Sequence, residues 1–523
     1  MSQPKTIVVG IDGAHFELIQ PWIDAGKLPE IAKILDSGIH GDLESVLPPV
    51  TSPNWKAYST GVNPGRFGIF WWENIDTKAE RVYYPDNRKH QRTEFWEIIA
   101  QDEPVGVLGV PTTHPPKQID EFLVAGPPDG KNTGFAHPDT IEQELKTQFD
   151  YRVTKKHRLQ HDQTAAAEEI LALIDSRFEA ARHLLSEHDL SFLQVTTFYI
   201  NSLHHYLWDD ETTLTAWQLI DDHIGALREE SRNIVLMSDH GANEITTSFY
   251  INAWLEKEGY LVTDSTFSDL FHRAGLNLET VEKMAVRLGV RDLVDRLPER
   301  VLNIARRLPD ESGSVNKQGK TNVVNWDQTD AVASGQGPVY ITAPESSNRY
   351  DRIQEELLSK LAEVRDDNGN PIASDVYRGE MVYSGEFEDE APDIVIDQAR
   401  GVHIQGGLND NSVFTDPESG GWRAENKRHG LFAAAGPDFS EGTIDSLSIL
   451  DLAPTLLHLH GYPILTDMDG EVRASLFSDE SGLAAEPPET AESSDFTSST
   501  DGNQRGDMDD EVKDRLDDLG YLS

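Results

Sequence analysis

Ile7-Val-Val-Gly-Ile-Asp12-Gly-Ala14 is an unbroken apolar run, mostly β-branched, that stops on an acid and a glycine. No polar residue alternates with the apolar ones, so the run suits a central parallel strand covered on both faces. Ile234-Val-Leu-Met-Ser-Asp239-His240-Gly241 repeats the pattern and again stops on metal-binding residue types. In open α/β sheets ligands gather at the carboxyl ends of such strands, which is where Asp12, Asp239 and His240 would stand. Asp-Gly also simply opens turns, and for Asp12 alone the two readings are open. The same arrangement met twice points to a site.

Around these two strands the chain alternates strand and helix patterns. Phe16 to Gly38 predicts two short amphipathic helices with a break at Gly26-Lys-Leu-Pro29, and Val105 to Pro111 and Phe192 to Tyr199 predict two further buried strands. Strand patterns resume at Pro338 to Thr342, Asp393 to Ile396 and Gly430 to Gly436, with helices over Arg352 to Val364 and Asp451 to His460. The expected class is α/β, a three-layer α/β/α domain on a mostly parallel sheet. Residues 1–475 are read as that domain, with a charged helical insertion at about 264–325 that is a candidate lid. Residues 476–508, rich in acids, Ser, Thr and Pro, read as a solvated linker, and 509–523 as an amphipathic helix that docks on the body or on another subunit.

Charge narrows the function classes. The 523 residues carry 45 Lys+Arg against 91 Asp+Glu, a net charge of −46, which speaks against polymeric nucleic acid as a partner and fits a halophilic protein whose self-repulsion is screened by concentrated salt. Hydrophobic content of 38% and ten Trp argue for a folded body rather than disorder. There are no cysteines, so any metal must be held by His, carboxylates and amides. No basic-then-apolar leader and no 18-residue apolar window are present, and a cytoplasmic location without a membrane span is expected.

Leu47-Pro-Pro-Val-Thr51-Ser-Pro-Asn-Trp-Lys-Ala-Tyr-Ser-Thr-Gly61 reads as a helix with Thr51 or Ser52 at its N-cap and Gly61 as its stop. Its amino end favours phosphate, so Thr51 is either an ordinary cap or a nucleophile. In Asn201-Ser-Leu-His204-His205 a helix puts Asn201 and His205 on one face and His204 elsewhere; the pair is solvated or ligates one metal. Asp12, Thr51, Asn201, His205, Asp239, His240 and His429 together form the set expected of a two-metal phosphoryl or sulfuryl transferase.

These motifs resemble the alkaline phosphatase superfamily, and within it the type I phosphodiesterase/nucleotide pyrophosphatase-like phosphohydrolases. The resemblance rests on the Gly10-Ile-Asp-Gly-Ala opening, Leu47 to Trp55 followed by Thr60-Gly-Val-Asn-Pro-Gly-Arg-Phe-Gly-Ile-Phe70, Val110-Pro with His114-Pro-Pro, Ser238-Asp-His-Gly, Asn252-Ala-Trp-Leu, Asn325-Trp-Asp and Asp467-Met-Asp-Gly470. It implies Thr51 as nucleophile, one divalent ion on Asp12, Asp239 and His240, and a downstream Asn, Asn74 or the nearer Asn54, on a phosphate oxygen. The ions expected are Zn²⁺ or Mn²⁺, one or two per chain. Relatives hold the second with Asp-x-x-x-His and a later His, and here the chain departs: Asn201 precedes His205, and Asn426 stands where the later His would be, leaving His429 or His403 as substitutes. The expected activity is metal-dependent cleavage of a small phosphodiester or nucleotide/sugar pyrophosphate through a phospho-threonine. Two other readings are a non-catalytic relative that binds a phosphorylated ligand, and a phosphotransferase acting on a glycan or lipid precursor. A sulfatase is disfavoured because Thr51-Ser-Pro-Asn-Trp lacks both the modifiable residue and the Arg that branch requires.

Overall fold

A computed structural model describes residues 5–85, 92–263, 324–407, 412–417 and 421–496. The predicted insertion at 264–325, save its last two residues, and the helix at 509–523 lie outside the described residues.

The first strand, β1 (Lys5–Ile11), is buried from its second residue onward. Ile7, Val9 and Ile11 enter one core and Val8 another, the period-two division of a strand covered on both faces. Each of these side chains contributes roughly 1.5–3 kcal/mol on burial, so β1 ties the two layers together. Helices α1 (Phe16–Asp24) and α2 (Pro29–Ser37) follow, broken where Gly26 and Pro29 predicted. Next come β2 (Ile39–Glu44), α3 (Thr51–Thr60) and α4 (Phe95–Ile99). The strands β3 (Val105–Leu108), β4 (Glu121–Val124) and β5 (Ala136–His137) complete one side of the sheet.

A long helix, α5 (Gln163–Glu187), leads to β6 (Phe192–Thr197), then to α6 (Tyr199–Tyr206), α7 (Glu211–Leu227) and β7 (Arg232–Met237). A short strand β8 (Gly241–Glu244) pairs antiparallel with β9 (Ala424–Lys427); β10 (His429–Ala435) returns to the main sheet, and α8 (Leu452–Leu459) packs beneath it.

The ten-stranded sheet centres on β1, with β6 and β7 parallel to it on either side and β3 parallel beyond β6. On the other side β10 runs antiparallel to both β7 and β2, so the sheet is mixed at that edge. Residues of α1, α2, α5 and α7 cover one face, and residues of α3, α4 and α8 cover the other. This is the three-layer α/β/α arrangement expected. A second antiparallel sheet of four strands (Ala331–Ala333, Pro338–Ile341, Ala373–Arg378, Ile394–Gln398) shares its own core with the helix Asn348–Glu363.

One expectation is corrected in part. Residues 478–496 are not a free linker: Thr490–Ala491 pairs parallel with Ile464–Leu465, and Leu483, Ala484 and Phe496 pack on the second core. Composition averages over the acidic stretch and misses these few apolar anchors. Among the described residues no helix is long and apolar enough to cross a membrane.

Candidate active site

β1 and β7 lie side by side with Gly10 opposite Met237, so the residues after each strand meet at one edge of the sheet. Asp12 follows β1, and Asp239 and His240 follow β7. All three are fully buried, and one ligand atom from each lies within 4.8 Å of the others, the one such group of three among the described residues. His240 Nε2 is 3.2 Å from Asp239 Oδ2 and 3.8 Å from Asp12 Oδ1.

Each carboxylate is anchored by one oxygen. Asp12 Oδ2 accepts the Trp55 indole N–H at 2.9 Å, and Asp239 Oδ1 accepts the Gly13 amide at 3.1 Å. The other oxygens, Asp12 Oδ1 and Asp239 Oδ2, are buried without a hydrogen bond. Burial, and then the charge of Asp239, raise Asp12 well above the usual carboxylate range; burial likewise raises Asp239. Two carboxylates forced together in a dry place each disfavour ionisation of the other, and a divalent cation between the unbonded oxygens removes that cost. The donor set of two carboxylate oxygens and an imidazole nitrogen fits such an ion. His240 Nδ1 lies 2.9 Å from the carbonyl oxygen of Gly241, which fixes that nitrogen as the donor and leaves the Nε2 lone pair facing the carboxylates.

Thr51 is fully buried and its Oγ1 lies 3.3 Å from His240 Nε2. The structure corrects its place in the helix. Val50 is the N-cap and caps with its backbone alone, so Thr51 opens the first turn with its hydroxyl uncommitted to capping. Pro53 fits at the third helical position because first-turn N–H groups have no intrahelical partner to lose. Gly61 stops the helix at φ 67°, as predicted. Every residue of α3 is buried, although six of its ten residues are Thr, Ser, Asn or Lys.

Both predicted phosphate-binding Asn side chains make local hydrogen bonds to the backbone. Asn54 Oδ1 accepts from the Val46 amide at 2.8 Å, and its Nδ2 donates to the carbonyls of Pro48 and Val50 at 3.1 and 2.9 Å, tying down the loop before α3. Asn74 Nδ2 donates to the Gly68 carbonyl at 2.9 Å and its Oδ1 accepts from the Phe70 amide at 3.3 Å. Both amides hold backbone turns.

On the far side of Asp12, α6 presents Asn201 and His205. A Cβ on Gly13, whose φ is 67°, would come within 2.3 Å of Asn201 Oδ1, so the amide rests directly on the turn that carries Asp12. Asn201 also hydrogen-bonds Asp12, favouring its ionised form. His205 Nδ1 is 2.7 Å from the carbonyl oxygen of Ala424, and the ring stacks on Trp422 with centroids 3.9 Å apart. Burial lowers it to about 4. His204 does point elsewhere: its Nε2 accepts the Trp217 indole N–H at 3.0 Å, and burial lowers it to about 3.

His429, expected as a metal ligand, is exposed at the first position of β10, opposite Glu44, and is not in the Asp12 group. His403 is engaged too, with Nε2 2.9 Å from Glu425 Oε2. Glu425 escaped the sequence reading. It is fully buried, and its Oε1 accepts from Gln336 Nε2 at 2.6 Å and from the Asn426 amide at 2.7 Å. Burial alone would raise it, but the charge and hydrogen bond of His403 prevail and bring it to about 2. Gln336 holds that bond from a left-handed turn at φ 60° and also accepts the Trp71 indole N–H at 2.7 Å. A single Glu in a polar run carries no signal of such burial; the Gly-Gln-Gly turn at 335–337 was the available hint.

A buried Asp–Asp–His group beside a hydroxyl, at the carboxyl ends of parallel strands, could hold a metal ion, the arrangement that metal-assisted hydrolysis uses. The comparison with protein families is specific: the model of type I phosphodiesterase / nucleotide pyrophosphatase matches residues 6–430, and the chain belongs to that family. The protein is therefore a hydrolase of the phosphodiesterase/nucleotide pyrophosphatase kind, as the sequence resemblance implied. The family depends on metal ions in general and acts on small phosphodiester and nucleotide substrates. Among solved structures, human ectonucleotide pyrophosphatase / phosphodiesterase 5 is similar at 14% identity and a TM-score of 0.47, over 91% of this chain and 100% of that one.

Proposed function

We propose that the chain cleaves a small phosphodiester or a nucleotide or sugar pyrophosphate through a covalent adduct on Thr51, with a divalent ion, Zn²⁺ or Mn²⁺, held by Asp12, Asp239 and His240. The observation that carries this reading is the buried Thr51 hydroxyl 3.3 Å from His240 Nε2, beside two carboxylate oxygens that lack hydrogen bonds. The ion supplies charge neutralisation and a lowered pKa for the Thr51 hydroxyl. Thr51 Oγ forms its bond to phosphorus as the bond from phosphorus to the leaving oxygen breaks, and the hydroxyl proton passes to the leaving group. Water then attacks the same phosphorus, the P–Oγ bond breaks, and Oγ regains a proton from that water. Trp55 and the Gly13 amide hold the two carboxylates, while the bonds of Asn54 hold the loop that sets Thr51.

The test is acid-quenched turnover of bis(4-nitrophenyl) phosphate with Mn²⁺ or Zn²⁺, followed by peptide mass spectrometry. A 4-nitrophenylphosphoryl adduct on Thr51, absent after chelation, is expected. An adduct on another residue, or turnover with none at Thr51 under burst conditions, would overturn the assignment.

We also infer a salt-rich cytoplasm as the working environment. Its support is the net charge of −46, together with a described surface on which Met381 is the one large exposed hydrophobic. Screening shortens from about 10 Å at 0.1 M salt to about 3 Å at 1 M, so self-repulsion falls steeply over that range. The thermal unfolding midpoint should rise steadily as KCl goes from about 0.1 to about 1 M. A flat or falling midpoint would remove the basis for this placement.

A further inference from the structure

A cavity of about 650 Å³ lies where the hairpin of Asn74–Asp76 and Arg81–Tyr83, the strand Pro338–Ile341 and the turn at Glu388–Glu390 meet. Neither Thr51 nor any member of the Asp12 group lines it. Ile75, Ile341, Ala343 and Pro392 give it a buried apolar floor. Its rim is acidic: seven of the lining residues are Asp or Glu, and one, Lys78, is basic.

This acidity exceeds that of the chain. Over the whole sequence acids outnumber bases 91 to 45, about two to one, whereas around the cavity the ratio is seven to one. A solubilising acidic coat points outward into salt water, but these carboxylates surround a concavity, where like charges disfavour one another unless a cation enters. Glu345, Glu388 and Asp389 make no ion pair with any described residue. Asp393 accepts the Tyr350 hydroxyl at 2.6 Å and the Ile341 amide at 2.5 Å, yet burial raises it to about 6.

Tyr340 is a second, independent sign of a ligand. It lines the cavity at 2% exposure, and its hydroxyl has no hydrogen-bond partner. The Ile75 backbone lies beside the hydroxyl without completing a hydrogen bond, and Tyr83 is also near; both residues stand in the cavity wall. A buried hydroxyl left unbonded is costly, and a donor arriving from the cavity would remove that cost.

The spacing of the acids selects the cation. The described residues hold one group of three metal-ligand atoms within 4.8 Å of one another, that of Asp12, Asp239 and His240, so the rim carboxylates stand too far apart to chelate a bare ion. Separated carboxylates over an apolar floor suit several ammonium groups joined by methylenes, and the volume is that of a small-molecule site. The tyrosine faces favour the same charge.

We propose that this cavity binds a linear organic polyamine, with its ammonium groups on the rim carboxylates, one N–H on the Tyr340 oxygen and its methylene segments on the apolar floor. The site is independent of the reading given to the Asp12 group.

The test is equilibrium dialysis of the full chain against radiolabelled spermidine in about 0.5 M KCl, where charges more than roughly 4 Å apart are largely screened and loose counter-ions are lost. One saturable site per chain is expected, displaced by unlabelled spermidine and not by Mg²⁺ at the same concentration. Glu345→Gln with Asp389→Asn should lower the affinity about tenfold or more, and Tyr340→Phe, which keeps the ring, about threefold or more. Glu168→Gln with Glu179→Gln removes the same charge from exposed positions on α5 and should leave the affinity unchanged. All four acids are exposed, so these substitutions leave the fold in place. Absence of saturable binding, displacement by Mg²⁺, an equal loss in the Glu168 and Glu179 pair, or unchanged affinity in Tyr340→Phe would overturn the proposal.

Discussion

Thr51→Ala is expected to lower turnover of bis(4-nitrophenyl) phosphate by about 10⁴-fold or more, because removing a nucleophile leaves only binding and charge stabilisation to act on a weaker attacking water. The fold should survive. The Thr51 hydroxyl plays no capping part, α3 being capped by the Val50 backbone, and the substitution removes only a hydroxyl and a methyl from the first helical turn. Losing that buried methyl costs on the order of 1 kcal/mol. The count of bound metal should stay the same or fall slightly, since Asp12, Asp239 and His240 remain. Thr51→Ser keeps the oxygen and should keep a measurable part of the rate. The pairing of these results matters: a dead Thr51→Ala that has also lost its metal would point to a ligand rather than a nucleophile, and one that keeps more than about a tenth of the rate would mean that water attacks directly.

The group of Asp12, Asp239 and His240 was legible because it sits where buried strands stop. Asp12, Asp239 and His240 each follow an apolar run, and the strand period alone delivers them to one sheet edge. Thr51 was legible as a helix start but misplaced by one position, since its neighbour Val50 caps without a side-chain signal. The residues around it were harder. Asn201 and His205 followed from helical spacing, but the distinction between His429, which is exposed, and Glu425, which is buried, depends on a two-strand ladder formed by residues far apart in the chain. Asn54 and Asn74 came from the family resemblance as candidates for a phosphate oxygen; short polar side chains near turns often bond the local backbone, and both do here. The sheet's parallel centre could be read from its lack of alternation. The antiparallel return of β10 could not, because strand direction leaves no mark in an apolar run.

Lys56→Ala is expected to destabilise the protein by about 3–5 kcal/mol, the range for breaking a buried ion pair from one side. Lys56 lies one helical turn and a half beyond Thr51 on α3, fully buried, with Nζ 2.7 Å from Glu94 Oε1. Burial lowers its pKa, and the Glu94 charge opposes that shift. Without Lys56 the buried Glu94 loses its closest cation; Lys117 Nζ is 3.6 Å away and already bonded to Glu97 at 2.7 Å, and Ser59 Oγ lies 3.4 Å from Glu94 Oε1. Glu94 cannot turn to water, because it also closes the capping box that starts α4. Lys56→Met together with Glu94→Gln should recover much of the loss, since it removes both charges, retains volume and leaves an amide oxygen for the cap. Chemical denaturation of the two single variants and the double would give the coupling. Additive losses would mean that the pair does not act as a unit. A large coupling accompanied by a fall in turnover in Lys56→Ala, at conditions where it remains folded, would show that this pair sets the position of the helix that carries Thr51.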